Sequence, residues 1–337
     1  MLAPPTLKPL LPDRQVTLYI PGLFAGPAGP LALRRLLARA DRLPGGADGA
    51  AERLFSLFSI APDKNQDLAI AAITRVADMG VIDHEWWIRA DPVNLQPGRD
   101  SLILRTGLDL TQEEASQLVA ELNESLNQDG WLLKAPHPQR WYLKPPAAPN
   151  IRTTPLNTVI GRDVHPHLPQ GADYKTWHTR LNEIQILLHT SPVNVAREAR
   201  GALPANSVWF WGGGHLPRPG TVHWTQLWGD TPLAQGLARL TGVASQPVPA
   251  NGTQLLSQPI NGEHLIVFEQ HLMQDAEAFN LLAQDWFAPL VGGVHKKRFD
   301  SLSLISDTGP MLIYRKGHRW RVWRRTKAVA VRQKERA

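Results

Sequence analysis

The chain of 337 residues contains no cysteine and only four methionines. No apolar run in it approaches the roughly 20 residues that a membrane-spanning helix needs. Without cysteine the protein has no disulfide bond and no thiolate ligand for a metal site. Hydrophobic residues make up 43% of the chain and charged residues 20%, which is typical of a folded protein. Because the N-terminal residues show no signal-peptide pattern, we expect a cytoplasmic location.

The net charge of +6 is concentrated at the C-terminal end. Residues 315–337 contain ten Lys or Arg and one Glu, whereas the remainder contains 26 basic and 29 acidic residues. The alternation from His318 to Arg324 favours an edge strand whose charges oppose aggregation, followed by a basic tail at 326–337. Since no second basic surface is evident, we do not expect nucleic acid as a partner. Nucleic-acid binding through the tail remains an alternative hypothesis.

Strand and helix patterns alternate at both ends of the chain. We predict strands at 16–20, 262–269, 301–305, 311–314 and 318–324, and helices at 31–40, 50–58, 66–79, 229–240 and 275–291. Gly80 closes the helix at 66–79, and Pro289 interrupts the last helix. In the middle section we predict strands at 85–89, 100–105, 131–134 and 141–144. Thr111 and Glu114 form a capping-box pattern that begins a helix ending near Asn127. This arrangement predicts an α/β core with an inserted domain.

The stretch from Leu181 to Gly214 combines two short helices with a bulky strand at 207–211. A continuous bulky run is typical of a strand covered on both faces. Gly212 to Gly214 then allow positive φ or close approach of the backbone to a neighbour. Because open α/β sheets bind ligands beyond the carboxyl ends of their strands, we expect a ligand site here.

Several short segments occur in a particular order along the chain. They are LFSLFSIAP at 54–62, RA at 89–90, RW at 140–141, PVN at 192–194, PAN at 204–206 and WFWGGG at 209–214. This ordered set resembles the archaeal-type cofactor-independent phosphoglycerate mutases. The resemblance implies an alkaline-phosphatase-like mixed sheet core with helices on both faces and an inserted α+β substrate-type domain.

The resemblance also implies a division of the chain into domains. The implied domains are a first half of the core at 15–84, an inserted domain with a proline-rich connection at 85–178, a second half of the core at 179–325, and the tail. A narrower similarity is to a bacterial group labelled regulatory protein RpfE. It is carried by PGLF at 21–24, WFWGGG at 209–214, DWFAPL at 285–290 and WRVWRR at 320–325.

The chemistry of the mutase family requires two metal ions and a Ser nucleophile. In this chain Pro21-Gly22 stands where the family has a metal-binding Asp-Gly, and roughly Ala50 stands where it has the Ser. Asp307 keeps the Asp of a late Asp-His pair, which makes it a vestigial metal position. We therefore expect no catalytic residue, no metal and no cofactor.

The leading hypothesis is a non-catalytic protein with a regulatory or ligand-binding role. The alternative is a divergent mutase or phosphatase that uses substitute ligands, namely Asp83, His271, Asp275 and Asp307. For either hypothesis we expect a small phosphorylated or carboxylate ligand or a protein as partner, and no membrane.

The resemblance places polar residues where the family binds phosphate or carboxylate groups, for which arginine is well suited. The candidate anion pocket consists of Arg89, Arg140, Asn182, Asn194, Arg197, Asn206, Gly212 and Gly214. A structural role is also open for some of them. Asn194 and Asn206 are of the type that caps helices and turns, and Arg89 could form an ordinary salt bridge with Asp91.

Overall fold

The computed structural model describes residues 14–24, 31–45, 49–61, 66–269 and 276–324. The chain divides into two compact units. The discontinuous unit comprises Met1–Ser59 and Gly220–Ala337, and the continuous unit comprises Ile60–Pro219. The sequence-based boundaries at 84/85 and 178/179 therefore both fall inside the continuous unit. The predicted tail at 326–337 lies outside the described residues.

The strands and helices follow one another along both units. The strands are β1 Gln15–Tyr19, β2 Asp41–Leu43, β3 Trp87–Pro97, β4 Leu102–Arg105, β5 Leu132–His137, β6 Arg140–Lys144, β7 Ser207–Gly214, β8 Trp224–Gly229, β9 Ala244–Gln246, β10 Glu263–Val267, β11 Ser301–Ile305 and β12 Met311–Arg315. The helices are α1 Leu31–Arg39, α2 Ala50–Leu57, α3 Ile70–Met79, α4 Gln112–Leu126, α5 Leu156–Val159, α6 Tyr174–Thr190, α7 Pro192–Ala199, α8 Pro232–Thr241, α9 Gly252–Ser257, α10 Ala276–Leu282 and α11 Ala288–His295. No helix in the described part of the chain is long and apolar enough to cross a membrane.

The discontinuous unit is built on a seven-stranded mixed sheet with the strand order β2-β12-β11-β1-β10-β8-β9. Its central strand β1 is parallel to both β10 and β11. Val16, Thr17 and Leu18 on β1 are fully buried, as is typical of a central strand covered on both faces. The predicted α/β character of this part of the chain is confirmed.

The helical segment after residue 275 is longer than predicted. Helix α10, a π-helical turn at Ala283–Phe287 and α11 follow one another without a break. The prediction that Pro289 interrupts the helix is wrong. Proline cannot donate to the carbonyl four residues earlier, and the widened turn immediately before Pro289 accommodates this loss within the helix.

The strand predicted at 318–324 is also wrong, because Lys316–Trp320 forms a 3₁₀ helix. The preceding strand β12 is paired with β11 on one side and with β2 on the other. A chain that turns back beside β12 therefore finds no free strand edge. As a consequence Trp320, Val322 and Trp323 lie exposed on the surface.

The continuous unit contains a five-stranded antiparallel sheet organised by β3. This 11-residue strand pairs with β4 near its end and with β6 and β7 along its first part. The predicted capping box of α4 is confirmed, since the Thr111 side chain accepts from Glu114 N–H and the Glu114 side chain accepts from Thr111 N–H. Helices α4 and α6 contribute buried leucines to the main hydrophobic cluster of this unit.

The bulky strand near residue 210 belongs to this antiparallel sheet and not to the mixed sheet of the discontinuous unit. Strand β7 includes all three glycines, and the positive φ and close backbone approach expected of them are both present. Gly212 has a φ of +64°, and a Cβ added there would lie 2.8 Å from Ile70 Cβ. A Cβ at Gly214 would lie 2.7 Å from Ala69 Cβ. The glycines therefore allow close approach of the α3 segment to β7.

The close approach of Ile70 to Gly212 predicts that two glycine-to-alanine variants lose different amounts of stability. Gly80, the residue that ends α3, also has a positive φ of 69°, but no neighbouring atom lies within 4 Å of its added Cβ. Gly80→Ala should therefore lower the free energy of unfolding only by the strain of an alanine in the left-handed conformation, about 1–2 kcal/mol. Gly212→Ala should cost clearly more, because Ile70 must also move. Equal losses in the free energy of unfolding, measured by urea denaturation, would contradict this account of the contact.

Candidate functional site

Arg89 and Asp91 form a buried ion pair on strand β3. Arg89 Nη2 lies 2.6 Å from Asp91 Oδ1, and Arg89 Nε donates to the same oxygen at 2.9 Å. The other carboxylate oxygen accepts from Trp211 Nε1 at 2.7 Å. The guanidinium of Arg89 also lies near the rings of Tyr142 and Trp211. Arg89 therefore forms the salt bridge with Asp91 that is one of its two interpretations from the sequence.

Arg140 begins strand β6 and forms a two-pronged ion pair with Asp78 at the end of α3. Its Nε and Nη2 each donate to one oxygen of Asp78 at 2.8 Å. Tyr142, two residues further along β6, donates to Asp78 Oδ2 at 2.6 Å. The Arg140 side chain is 25% exposed, whereas that of Arg89 is 7% exposed. Arg140 is thus the more accessible of the two arginines.

The surroundings of Asp78 and Asp91 shift the pKa values of these two aspartates in opposite directions. Burial raises the pKa of Asp91, and the charge of Arg89 opposes that rise without cancelling it. Burial would also raise the pKa of Asp78, but hydrogen bonds from Arg140 and Tyr142 and the charges of both arginines lower it below 3.8. Ionised Asp78 therefore stabilises the fold at pH values above this ordinary pKa. The stabilisation is lost as the pH falls through the lower pKa that Asp78 has in the folded protein.

The remaining polar residues of this neighbourhood stay uncharged near neutral pH. Burial, together with the charge of Arg140, lowers the pKa of His137 on β5. Burial raises the pKa of Tyr142, so that its phenol keeps the proton that it donates to Asp78. Two guanidinium groups thus face two carboxylates beside neutral partners. We call Arg89, Arg140, Asp78, Asp91 and Tyr142 the arginine cluster.

Three residues of the predicted pocket, Arg197, Asn194 and Asn206, make contacts with backbone groups and helix ends. Arg197 is 1% exposed and donates to the carbonyls of Leu203 and Leu108 and to Glu114. The Asn194 side chain bonds the carbonyl of Leu188 and both backbone groups of Ala205. The Asn206 side chain bonds both backbone groups of Leu95, in the manner of an additional strand residue.

The last members of the predicted pocket are Asn182, Gly212 and Gly214. Asn182 is exposed on α6. Gly212 donates its N–H to Thr153 Oγ1 at 3.2 Å, and Thr153 in turn donates to Asp67. Gly214 lies against Ala69. Of the eight predicted residues, Arg89 and Arg140 therefore belong to one cluster, in which the charges of both lower the pKa of Asp78. The contacts of Asn194, Arg197, Asn206, Gly212 and Gly214 are with other residues.

In the discontinuous unit, the carboxyl ends of β1 and β11 lie side by side. Asp307 follows β11, and its Oδ1 accepts from Gly22 N–H at 2.8 Å and from Ser306 Oγ at 2.7 Å. Ser306 Oγ accepts from Leu23 N–H at 3.1 Å. The carboxylate of Asp307 is therefore used to join the turn after β1 to the end of β11.

Arg53 of helix α2 enters the same region. Its guanidinium is buried and donates to Ser306 O at 3.1 Å and to Gly309 O at 3.5 Å. Burial and the charge of Asp307 raise the pKa of Tyr19, while Arg53 opposes this. Tyr19 therefore keeps its phenolic proton, which it donates to Ala50 O at 2.8 Å. We call Arg53, Asp307, Ser306 and Tyr19 the sheet-edge cluster.

As far as the structure describes it, the donor set of the sheet-edge cluster does not fit the two-metal site of the family that the sequence resembles. The cluster offers the carboxylate of Asp307, already bonded to an N–H and a hydroxyl, beside a buried guanidinium, and the charge of Glu52 also acts on Tyr19. Across the described ranges, no three His, Cys, Asp or Glu residues are grouped as metal ligands. Among the proposed substitute ligands, Asp83 pairs with Arg75 at 2.5 Å. His271 and Asp275 lie outside the described residues.

Two functional-site residues were missed by sequence reasoning. Arg53 lies within an amphipathic helix, where arginine is usually exposed, and its only local signal is that LFSLFSIAP follows it directly. Asp78 lies 62 residues before Arg140 in the chain. Nothing local links two residues so far apart, because their contact arises from the packing of α3 on the sheet.

The Arg89–Asp91 pair predicts a large effect of removing one charge. Arg89→Met leaves the Asp91 carboxylate buried without a counter-charge, which should cost about 3–5 kcal/mol. The double variant Arg89→Met/Asp91→Asn should recover part of this loss, and Lys144→Met, which removes a partly exposed pair with Glu85, should change stability little. Urea denaturation measures all three. A single Arg89 variant as stable as Lys144→Met would show that Asp91 does not need its partner.

Comparisons with known proteins relate this chain to one group of enzymes. No protein-family model matches the chain. A 2,3-bisphosphoglycerate-independent phosphoglycerate mutase of Methanothrix thermoacetophila is 28% identical over 181 residues, which are 50% of this chain and 45% of that protein. The chain spans less than half of the length of the curated relatives that it matches.

Solved structures agree with this similarity at the level of the fold. The cofactor-independent phosphoglycerate mutase of Thermoplasma acidophilum aligns over 90% of both chains with a TM-score of 0.50 and 14% identity. The PH0037 protein of Pyrococcus horikoshii aligns over 91% of this chain and 88% of its own, with a TM-score of 0.57 and 14% identity. The chain therefore has the alkaline-phosphatase-like fold of the cofactor-independent phosphoglycerate mutases, as the resemblance implied.

Proposed function

We propose that this protein is a non-catalytic, RpfE-type relative of the phosphoglycerate mutases that acts by binding a small anionic ligand. The observation that carries the proposal is the buried guanidinium of Arg53 at the carboxyl edge of the core sheet. An arginine remains charged in proteins even when it is buried. It places a permanent positive charge in the sheet-edge cluster, where a two-metal mechanism would require cations to bind.

Electrostatics disfavour divalent cations beside such a group. Two like charges about 4 Å apart repel by about 4 kcal/mol at an effective dielectric constant near 20, and a divalent ion roughly doubles this. Asp307 is the single described carboxylate in the sheet-edge cluster, and its Oδ1 is already satisfied. One engaged carboxylate does not compensate for a neighbouring guanidinium. We infer that the two-metal phosphoryl transfer of the mutases is lost.

The relatives and the arginine cluster both support a small anion as the ligand. The relatives are named as phosphoglycerate mutases, so a phosphorylated three-carbon acid is the first ligand to consider. Arg140 is partly exposed, and its bonds to Asp78 use Nε and Nη2 of a group with five N–H donors. A phosphate or carboxylate bound there would form charge-assisted hydrogen bonds.

The first prediction from this proposal concerns metal and turnover. After incubation with Mn²⁺ and Zn²⁺ and removal of free metal, the full-length protein should retain well under one equivalent of either ion, measured by mass spectrometry of the metals. It should interconvert 2- and 3-phosphoglycerate no faster than its Asp307→Asn variant. Two bound equivalents with turnover that Asp307→Asn abolishes would overturn the proposal and support the divergent enzyme.

The second prediction concerns the ligand. 3-Phosphoglycerate, 2-phosphoglycerate or inorganic phosphate should raise the melting temperature of the protein, because a ligand that binds only the folded state stabilises it by mass action. The same ligand should leave the melting temperature of the Arg140→Gln variant at the value measured for that variant without ligand. It should persist in Arg99→Gln, a control at an exposed arginine of the same unit. A shift that Arg140→Gln leaves unchanged would refute the arginine cluster as the site.

A further inference from the structure

The C-terminal part of the described chain forms a surface rich in arginine and tryptophan. Residues 315–324 lie against the end of α1 and the start of β2, because Arg321 donates to Arg39 O at 3.2 Å and Arg324 donates to Ala40 O at 2.8 Å. His318 lies 3.3 Å from Asp41. We call residues 39–43 and 315–324 the cationic–aromatic surface.

The charge of this surface is strongly one-sided. Its residues include seven Arg or Lys and one acidic residue, Asp41. Asp41 contacts the side chains of Arg315 and Arg321 as well as His318. A hydrogen bond from Arg321 lowers the pKa of Asp41, so that its charge is present at neutral pH and offsets one cation. A net positive charge therefore remains on the surface.

The sequence alone gave no second basic region near the tail. The structure supplies one, because pairing of β2 with β12 brings Arg42 beside Leu312 in the sheet register. An open recess of about 710 Å³ lies at this place, and Arg42, Arg315 and Arg324 are among its lining residues. Arginines from two distant parts of the chain thus line one concave space, together with Asp41 and apolar residues.

The tryptophans of this surface differ from the buried ones elsewhere in the protein. Trp320 is 66% exposed and Trp323 is 72% exposed, whereas Trp141, Trp177 and Trp209 are fully buried. The guanidinium of Arg319 lies 4.6 Å from the ring of Trp320. Exposed indole rings between arginines are a combination that stacks on nucleobases while the arginines contact phosphates.

We propose that the cationic–aromatic surface binds single-stranded nucleic acid, independently of any anion bound by the arginine cluster. Phosphates contact Arg42, Arg315 and Arg324 in the recess, and bases stack on Trp320 and Trp323. An anionic membrane fits less well, because a bilayer is flat and its peripheral binding segments are amphipathic helices. Here the cationic groups line a recess, and residues 321–324 form no helix.

The proposal is tested by fluorescence anisotropy with labelled oligothymidine and oligouridine of about 12 nucleotides, a length within known single-strand site sizes. Binding should weaken steeply as salt rises, because phosphate contacts release counterions. Trp320→Ala/Trp323→Ala should weaken it about tenfold or more through lost stacking, and Trp320→Phe/Trp323→Phe should retain most of the affinity. Arg42→Gln should weaken binding and reduce its salt dependence, whereas Arg99→Gln should change neither.

The same variants distinguish the opposing outcomes. Equal affinity of the Trp→Ala and Trp→Phe double variants, or no measurable binding by the full-length chain at low salt, would overturn the proposal. Sedimentation with phosphatidylserine–phosphatidylcholine vesicles covers the other partner class. Tryptophan-dependent binding to these vesicles without binding to either oligonucleotide would assign the surface to membranes and reject nucleic acid. Because both tryptophans are exposed, circular dichroism should show unchanged folding of every variant.

Discussion

Much of this structure depends on the requirement that a buried guanidinium keeps its charge and must therefore be given acceptors. Arg89 meets it with the carboxylate of Asp91, Arg197 with two carbonyls and Glu114, and Arg53 with the carbonyls of Ser306 and Gly309. Arg197 and Arg53 in this way tie together segments that are distant in sequence, whereas Arg89 pairs with a neighbour on its own strand. An unpaired charge at any of these places would cost several kcal/mol, so the acceptors are as much a part of the fold as the apolar core.

The same requirement connects the fold to the proposed function. A cofactor-independent phosphoglycerate mutase fold is retained, while the sheet-edge cluster contains an arginine and a single, already bonded aspartate. A site of that composition favours anions or neutral groups over divalent cations. The arginine cluster of the other unit has comparable chemistry, with a partly exposed Arg140. Both clusters support the proposed binding of a small anion.

Local sequence signals identified most of the regular elements and one role in the candidate site. The capping box at Thr111, strand β1 and the end of α3 at Gly80 are all predicted from neighbouring residues. The salt bridge of Arg89 with Asp91 is one of two interpretations that the sequence supports, since the residues are two apart on one strand. The partner of Arg140 was not predictable, because Asp78 lies on a separate element.

The sequence by itself determined the local conformations, since helix caps, apolar periodicity and positive-φ glycines act over a few residues. It also established the fold class through the ordered resemblance to the mutases, which the structural similarity confirms. Only the tertiary structure decided which strands pair. Strand β7 joins the antiparallel sheet beside β3, and residues 318–324 do not form a strand because β12 already has two neighbours. Strand pairing joins residues far apart in sequence, and backbone hydrogen bonds are the same whatever the side chains, so no local pattern reveals the partner.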